Sequence, residues 1–194
     1  MMSQHIDDAR SQKIIFVSSC LLNANNKVKE LARYPGLCKD VLDTLYKYDL
    51  GVQQMACPET LYLGVQRWWH TKNLYDNVGF RNFCRDLARQ VADYMENYEK
   101  VGYETVAILS SNGSPTCGVT LTSFSEDWGG RPKELDYGES LAVGTGVYIE
   151  ELQKEIKARG LKTPPIYGLD LDDVSKPMEQ ILEEFEDFIK GLFK

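Results

Sequence analysis

Short apolar runs alternate with longer amphipathic stretches along the whole chain. Lys13 to Ser19 (KIIFVSS) is the first run. Its β-branched and aromatic content predicts a buried strand. A polar stretch with Asn23, Asn25 and Asn26 reads as a loop. From Pro35 to Tyr48 the pattern becomes helical, with Pro35 in the first turn and Cys38, Val41, Leu42 and Leu45 on one stripe. Gly51 breaks that pattern, and Val52 to Ala56 predicts a second strand. A loop rich in aromatics follows, residues 61–76. Asp76 or Asn77 can cap a long helix to about Lys100, with Phe80, Phe83, Cys84, Leu87, Val91 and Tyr94 or Met95 on its apolar face. Glu104 to Ser110 predicts the third strand, and a stretch punctuated by Gly and Pro runs from Asn112 to Gly146. A helix over Val147 to Arg159, stopped by Gly160, a fourth strand over Pro165 to Leu169 and a last amphipathic helix over Met178 to Phe193 complete the order.

Strand and helix thus alternate four times. The expected fold is α/β: a parallel sheet of about four strands with helices on both faces, a Rossmann-like three-layer sandwich. Residues 1–12 are expected to be a flexible start. Residues 13–194 are expected to form a single domain, with 171–194 carrying a C-terminal helix packed on it. Ligands of such sheets bind beyond the carboxyl ends of the strands.

Composition narrows the function classes. The 194 residues carry a formal net charge of −7, which argues against nucleic acid as a partner because phosphate binding needs a basic face. No apolar run approaches the roughly 20 residues of a membrane helix. The polar start lacks the apolar centre of a signal peptide, so a cytoplasmic location is expected. Thiols stay reduced there, so the five cysteines are read as core residues, metal ligands or reactive groups rather than disulfides.

Cys38 and Cys84 fall on apolar helix stripes, where free Cys packs as a small hydrophobe. The other three differ. Cys20 follows the first predicted strand, Cys57 the second, and Cys117 lies a short turn past the third. All three therefore project beyond the same edge. Three soft thiolates without a fourth partner suit an iron–sulfur cluster, zinc or Cu(I), and spacing alone does not separate a cluster from a zinc site.

Cys20-Leu21-Leu22, Cys57-Pro58-Glu59 and Ser114-Pro115-Thr116-Cys117-Gly118, each after a strand, resemble the motifs of the 2-thiouracil desulfurase (desulfidase) family. Gly144-Thr145-Gly146-Val147 before a helix is similar to that family's closing motif. The resemblance covers roughly residues 14 to 170. It implies a [4Fe–4S] cluster held by Cys20, Cys57 and Cys117, with one iron left open for the sulfur of a thiocarbonyl compound and zinc the lesser choice. It also implies loss of that sulfur as sulfide, leaving a carbonyl. The chain departs from the family at Asn23, where Gly is usual, around Ala32-Arg33-Tyr34-Pro35-Gly36, which lacks a Cys and an Asp, and at Leu63-Gly64 with Gln66-Arg67. These departures lie in loops expected to face the substrate.

Other residues have two readings each. Glu59 is a proton shuttle for water attacking the thiocarbonyl carbon, or a surface or capping carboxylate. Ser114 bonds substrate or a cluster sulfur, or serves a turn. Asn112-Gly113 is a turn that can also offer backbone N–H groups to an anion. Arg67 and Trp68, with Trp69 and His70, orient and stack a heterocycle, or pack their loop on the body or on a second subunit in a homodimer. Trp128-Gly129-Gly130 is a loop over the site or a dimer contact. Asp170 to Asp173 is expected to end a strand and cap the last helix. Two other function classes compete with the desulfidase: a non-catalytic iron–sulfur or metal-binding sensor, and a cysteine-nucleophile enzyme.

Overall fold

In the computed structural model, which describes residues 8–131, 134 and 136–194, the first strand runs straight into a buried turn. β1 (Lys13–Ser18) is followed by α1 (Ser19–Leu22), a 3₁₀ turn (Ala24–Asn26), α2 (Lys39–Lys47) and β2 (Gly51–Met55). Next come α3 (Pro58–Leu63), α4 (Lys72–Tyr75), the long α5 (Val78–Lys100) and β3 (Glu104–Ser111). β4 (Leu121–Ser123), β5 (Leu141–Val143), α6 (Val147–Ala158), β6 (Ile166–Leu169) and α7 (Met178–Gly191) complete the chain.

The main sheet has the order β2-β1-β3-β6, and all its pairings are parallel. Alternation along β1 sorts its side chains between two cores. Ile14 and Phe16 join Ile108 of β3 under α5 and α6, against Phe80, Leu87, Val91, Tyr148 and Leu152. Ile15 and Val17 join Ala107 and Leu109 on the other face, under α2 and α7, against Val41, Leu45, Ile181, Phe185 and Ile189. This is the expected three-layer α/β sandwich. Residues 1–7 of the expected flexible start lie outside the described residues. Residues 10–12 meet the start of β3: the Gln12 carbonyl accepts from Glu104 N–H at 2.8 Å, and Arg10 donates to Tyr103 Oη at 2.9 Å.

Several local expectations change. The helix read from Pro35 begins only at Lys39. Leu21 C=O takes the N–H of Cys38, whose extended backbone then serves as the N-cap. Cys38 stays buried, now at the helix entrance. The expected aromatic loop contains α4 and the end of α3, both too short to show a 3.6-residue period. The Gly- and Pro-punctuated stretch contains the antiparallel pair β4–β5. The acidic run does not cap α7, whose N-cap is Pro177 with no side-chain bond. Asp170 instead takes Lys176 and Asn112, Asp172 takes Lys27, and Asp173 takes Ser175. No helix among the described residues is long and apolar enough to cross a membrane.

Candidate functional site

Three consecutive strands deliver a thiol to one edge of the sheet. Cys20 sits in α1 immediately after β1, Cys57 caps α3 after β2, and Cys117 follows the turn after β3. All three line one half-open cleft with a cavity volume of about 60 Å³. Cys38 and Cys84 do not line it; both lie in the core.

One of the sulfurs receives a hydrogen bond from its own loop. Pro58 at the start of α3 leaves Cys57 as N-cap, and its Sγ accepts from Thr60 N–H at 3.4 Å. Cys117 Sγ lies 3.6 Å from Thr116 Oγ1, whose hydrogen goes to Glu59 Oε1 at 2.7 Å. Burial pushes the Cys20 thiol up to about 11, Lys27 pulls it back, and Cys57 adds to the rise. Burial raises Cys57 too, with Glu59 adding to it and Thr60 opposing it. Cys117 is raised as well, by burial and then by Cys57 and Cys20. The three thiols thus sit within electrostatic reach of one another, and burial opposes their ionisation. That works against a free nucleophile, which needs a lowered pKa. It suits soft ligands that exchange their protons for a metal. Among the described residues no three His, Cys, Asp or Glu side chains converge as on a single ion. A cluster asks for a wider triangle, because each thiolate has its own iron. Three soft thiols, with Glu59 and Asp172 on the same cleft held by Arg67 and Lys27, match in kind the donors such a group takes.

Glu59 is buried and carries three internal hydrogen bonds. Its Oε2 accepts from Arg67 Nε at 2.8 Å and from Tyr75 Oη at 3.3 Å, and its Oε1 accepts from Thr116 Oγ1 at 2.7 Å. Arg67 also donates to Asn26 C=O at 2.8 Å and to Thr60 Oγ1 at 3.2 Å. One guanidinium thereby ties α3 to the 3₁₀ turn beside Cys20, and one carboxylate ties α3 to the loop beside Cys117. Their side chains are only 3% and 7% exposed, so neither is the surface group that the alternative reading of Glu59 describes.

Ser114 lines the cleft, but its Oγ accepts the N–H groups of Thr116 at 3.3 Å and Cys117 at 3.0 Å. It builds the turn that carries the third thiol. Asn112 does not line the cleft. Its Oδ1 accepts the N–H groups of Val119 and Thr120, both at 3.1 Å. Its Nδ2 donates to Thr120 Oγ1, Gly168 C=O and Asp170 Oδ1. Gly168 leaves room for that side chain, where a Cβ would collide. The backbone N–H groups of Asn112 and Gly113 go to Leu169 and Leu121 carbonyls, so no anion nest forms there. Trp68 is 70% exposed and faces a second groove with Trp128, Gly129, Gly130 and Arg131. Its neighbours Trp69 and His70 line both that groove and the thiol cleft. The His70 ring lies 5.4 Å from that of Tyr75, and burial lowers its pKa.

The Gly-Thr-Gly-Val motif has a packing reason. Gly146 N–H donates to Gly118 C=O, Val147 N–H to Pro115 C=O, and Tyr148 N–H to Thr116 C=O. A Cβ on Gly146 would collide with the backbone of Thr116 and Cys117. The N-terminus of α6 therefore grips the loop of the third thiol.

Sequence reasoning missed Lys27, Asp172, Ser111 and Tyr137, which also line the cleft. Lys27 Nζ binds Asp172 Oδ1 at 2.6 Å and Oδ2 at 2.8 Å. A lysine and an aspartate 145 positions apart give no signal in the chain. Ser111, at the end of a strand already read as ending near the site, was the one available clue.

Fold and cleft define a three-layer α/β protein with a three-thiol site at the carboxyl edge of its parallel sheet. No protein-family model matches the chain, and no solved structure matches it. An uncharacterized protein of Methanocaldococcus jannaschii, MJ0003, is 34% identical over 110 residues, covering 57% of this chain and 70% of that protein. The chain belongs to the family of MJ0003.

Proposed function

We propose that this protein is an iron–sulfur-dependent desulfidase that hydrolyses a thiocarbonyl small molecule to the carbonyl and sulfide. One observation carries the reading: Cys20, Cys57 and Cys117, from the ends of three neighbouring strands, line a single cleft. The order of the three motifs supports the same reading.

Cys20, Cys57 and Cys117 would hold a [4Fe–4S] cluster as thiolates. When bound, it supplies a soft Lewis acid at its open iron. The remaining steps belong to the chain. Thr60 N–H stabilises the thiolate form of Cys57. Glu59 is ion-paired, hence an acceptor. A carboxylate has about four acceptor positions, and three are used here, so one on Oε1 remains for a water at the cleft. Glu59 takes a proton from that water as its oxygen bonds the thiocarbonyl carbon. The C–S bond then breaks and both water protons leave with the sulfide. No electrons are gained or lost overall. Ser114 shapes the loop on which Cys117 stands.

The test is anaerobic purification with iron and sulfide determination, followed by sulfide release from thioamide and thiopyrimidine compounds. The expected protein is brown, with about four irons per chain and measurable sulfide release. A colourless protein lacking iron would overturn the proposal. A brown protein inert on every compound would leave the sensor reading in its place.

A further inference from the structure

Tyr148 lies in the first turn of α6, where its N–H donates to Thr116 C=O at 2.9 Å, next to the third thiol. Its side chain is fully buried, in the same apolar cluster as Cys117, Cys84 and Met55. It does not line the cleft, so it stands behind the wall that carries Cys117. Its hydroxyl meets no hydrogen-bond partner. A buried hydroxyl left unpaired costs stability and calls for an explanation.

The ionisable groups around this phenol are thiols. After burial itself, Cys117, Cys84 and Cys57 are the groups that raise its pKa, in that order. A protonated thiol is a weak acceptor, which leaves the hydroxyl without a good partner. A thiolate carries charge and accepts far more strongly. Of the three, Cys84 packs in the core away from the cleft, and Cys57 Sγ already accepts from Thr60 N–H. Cys117 Sγ lacks such a donor from its own loop, because the Thr116 hydroxyl gives its hydrogen to Glu59.

We infer that Tyr148 is a positioning residue that donates a hydrogen bond to the Cys117 sulfur once that thiol has exchanged its proton for a soft metal. The bond would spread the negative charge of the ligating sulfur, and so strengthen metal retention and favour the more reduced state of a bound cluster. The inference rests on Cys117 being a metal ligand, as in the proposed function, but not on which metal is bound or on turnover.

The experiment compares the parent with Tyr148→Phe, both as full chains handled anaerobically. Iron is first removed by chelation and Cd²⁺ is then titrated in, with thiolate-to-cadmium absorption as the signal. Tyr148→Phe should weaken Cd²⁺ binding by about tenfold, while the melting temperature of the metal-free protein stays level or rises. The same substitution should still weaken binding in a Cys84→Ala background and should have no effect in a Cys117→Ser background. In iron-loaded samples it should move the reduction potential to a more negative value. Unchanged Cd²⁺ affinity or an unchanged potential would overturn the inference, as would a parent that binds no Cd²⁺. An effect that persists without Cys117, or disappears without Cys84, would overturn it by assigning the hydroxyl to another acceptor. A fall in the metal-free melting temperature would do so by revealing a structural partner. Iron content and sulfide release on the same preparations separate the two proposals. An iron-free parent whose Cd²⁺ binding depends on Tyr148 defeats only the proposed function. A brown, active parent whose Cd²⁺ binding ignores Tyr148 defeats only this inference.

Discussion

Glu59 joins Arg67, Tyr75 and Thr116 in one buried network, so its replacement probes position and proton transfer together. Glu59→Gln keeps the shape but loses the charge that pairs Arg67. Under the proposed function it should keep the visible absorption and iron content while lowering sulfide release by roughly 10²–10⁴-fold, the usual range for a general base. Full activity would assign the proton to another acceptor. Cys57→Ser should lose colour and activity together, because a hard hydroxyl replaces a soft ligand. Cys38→Ala and Cys84→Ala test the other side of the sorting. Both residues pack in the core away from the cleft, so each should cost on the order of 1 kcal/mol and leave iron content unchanged. Loss of iron in either would mean that the thiols are wrongly divided.

At the scale of elements, α6 holds the site from two directions. Its N-terminus grips the Cys117 loop through Gly146. Gly146→Ala sets a methyl group against rigid backbone, so it should destabilise the fold by about 1–3 kcal/mol and reduce iron retention. A variant as stable as the parent would show that the loop yields. The body of α6 is clamped to α5 through Glu151, a carboxylate only 1% exposed that takes Arg81, Arg85 and Lys154. Burial alone would raise its pKa, but the bonds from Lys154 and Arg81 and the charge of Arg85 bring it below the usual 4.5. The folded state therefore binds this proton less readily than the unfolded chain. The contribution is complete above pH 4.5 and is lost as pH falls through the lower folded value. Glu151→Gln should cost about 1–3 kcal/mol at pH 7, discounted for the half-exposed cations. In denaturant titrations its gap to the parent should narrow below pH 4.5. A gap independent of pH would remove the ionic explanation.

Across the whole molecule, the three thiols belong to segments that follow β1, β2 and β3, neighbours in the sheet. A group bound to all three adds cross-links to the native state that the unfolded chain lacks. Chelation of iron from the anaerobic protein should therefore lower its melting temperature. Cys57→Ser, already without the group, should show no further shift on chelation. An equal shift in both would mean that the iron sits elsewhere.

The chain by itself determined the alternation of strands and helices, because one buried face per element leaves a period that neighbouring residues report. β1, β2, β3, β6, α5 and α7 lie within a few residues of their expected places. It also determined which cysteines stand apart, since position after a strand is a local property. Short elements escaped. α3 and α4 have too few turns to show a period, and β4–β5 is hidden among Gly and Pro. Only the tertiary structure decided what the loops do. Asn112 turns its amide into the protein because Gly168 lies opposite. Trp68 faces outward while Trp69 faces the cleft, a difference of one position in a segment with no period. Glu59 is buried because Arg67 meets it across the α3 turn. Lys27 and Asp172, 145 positions apart, become partners only when the β1 and β6 ends share one edge. Hydrophobic spacing is written locally, whereas pairing of buried polar groups depends on which segments the packed sheet brings together.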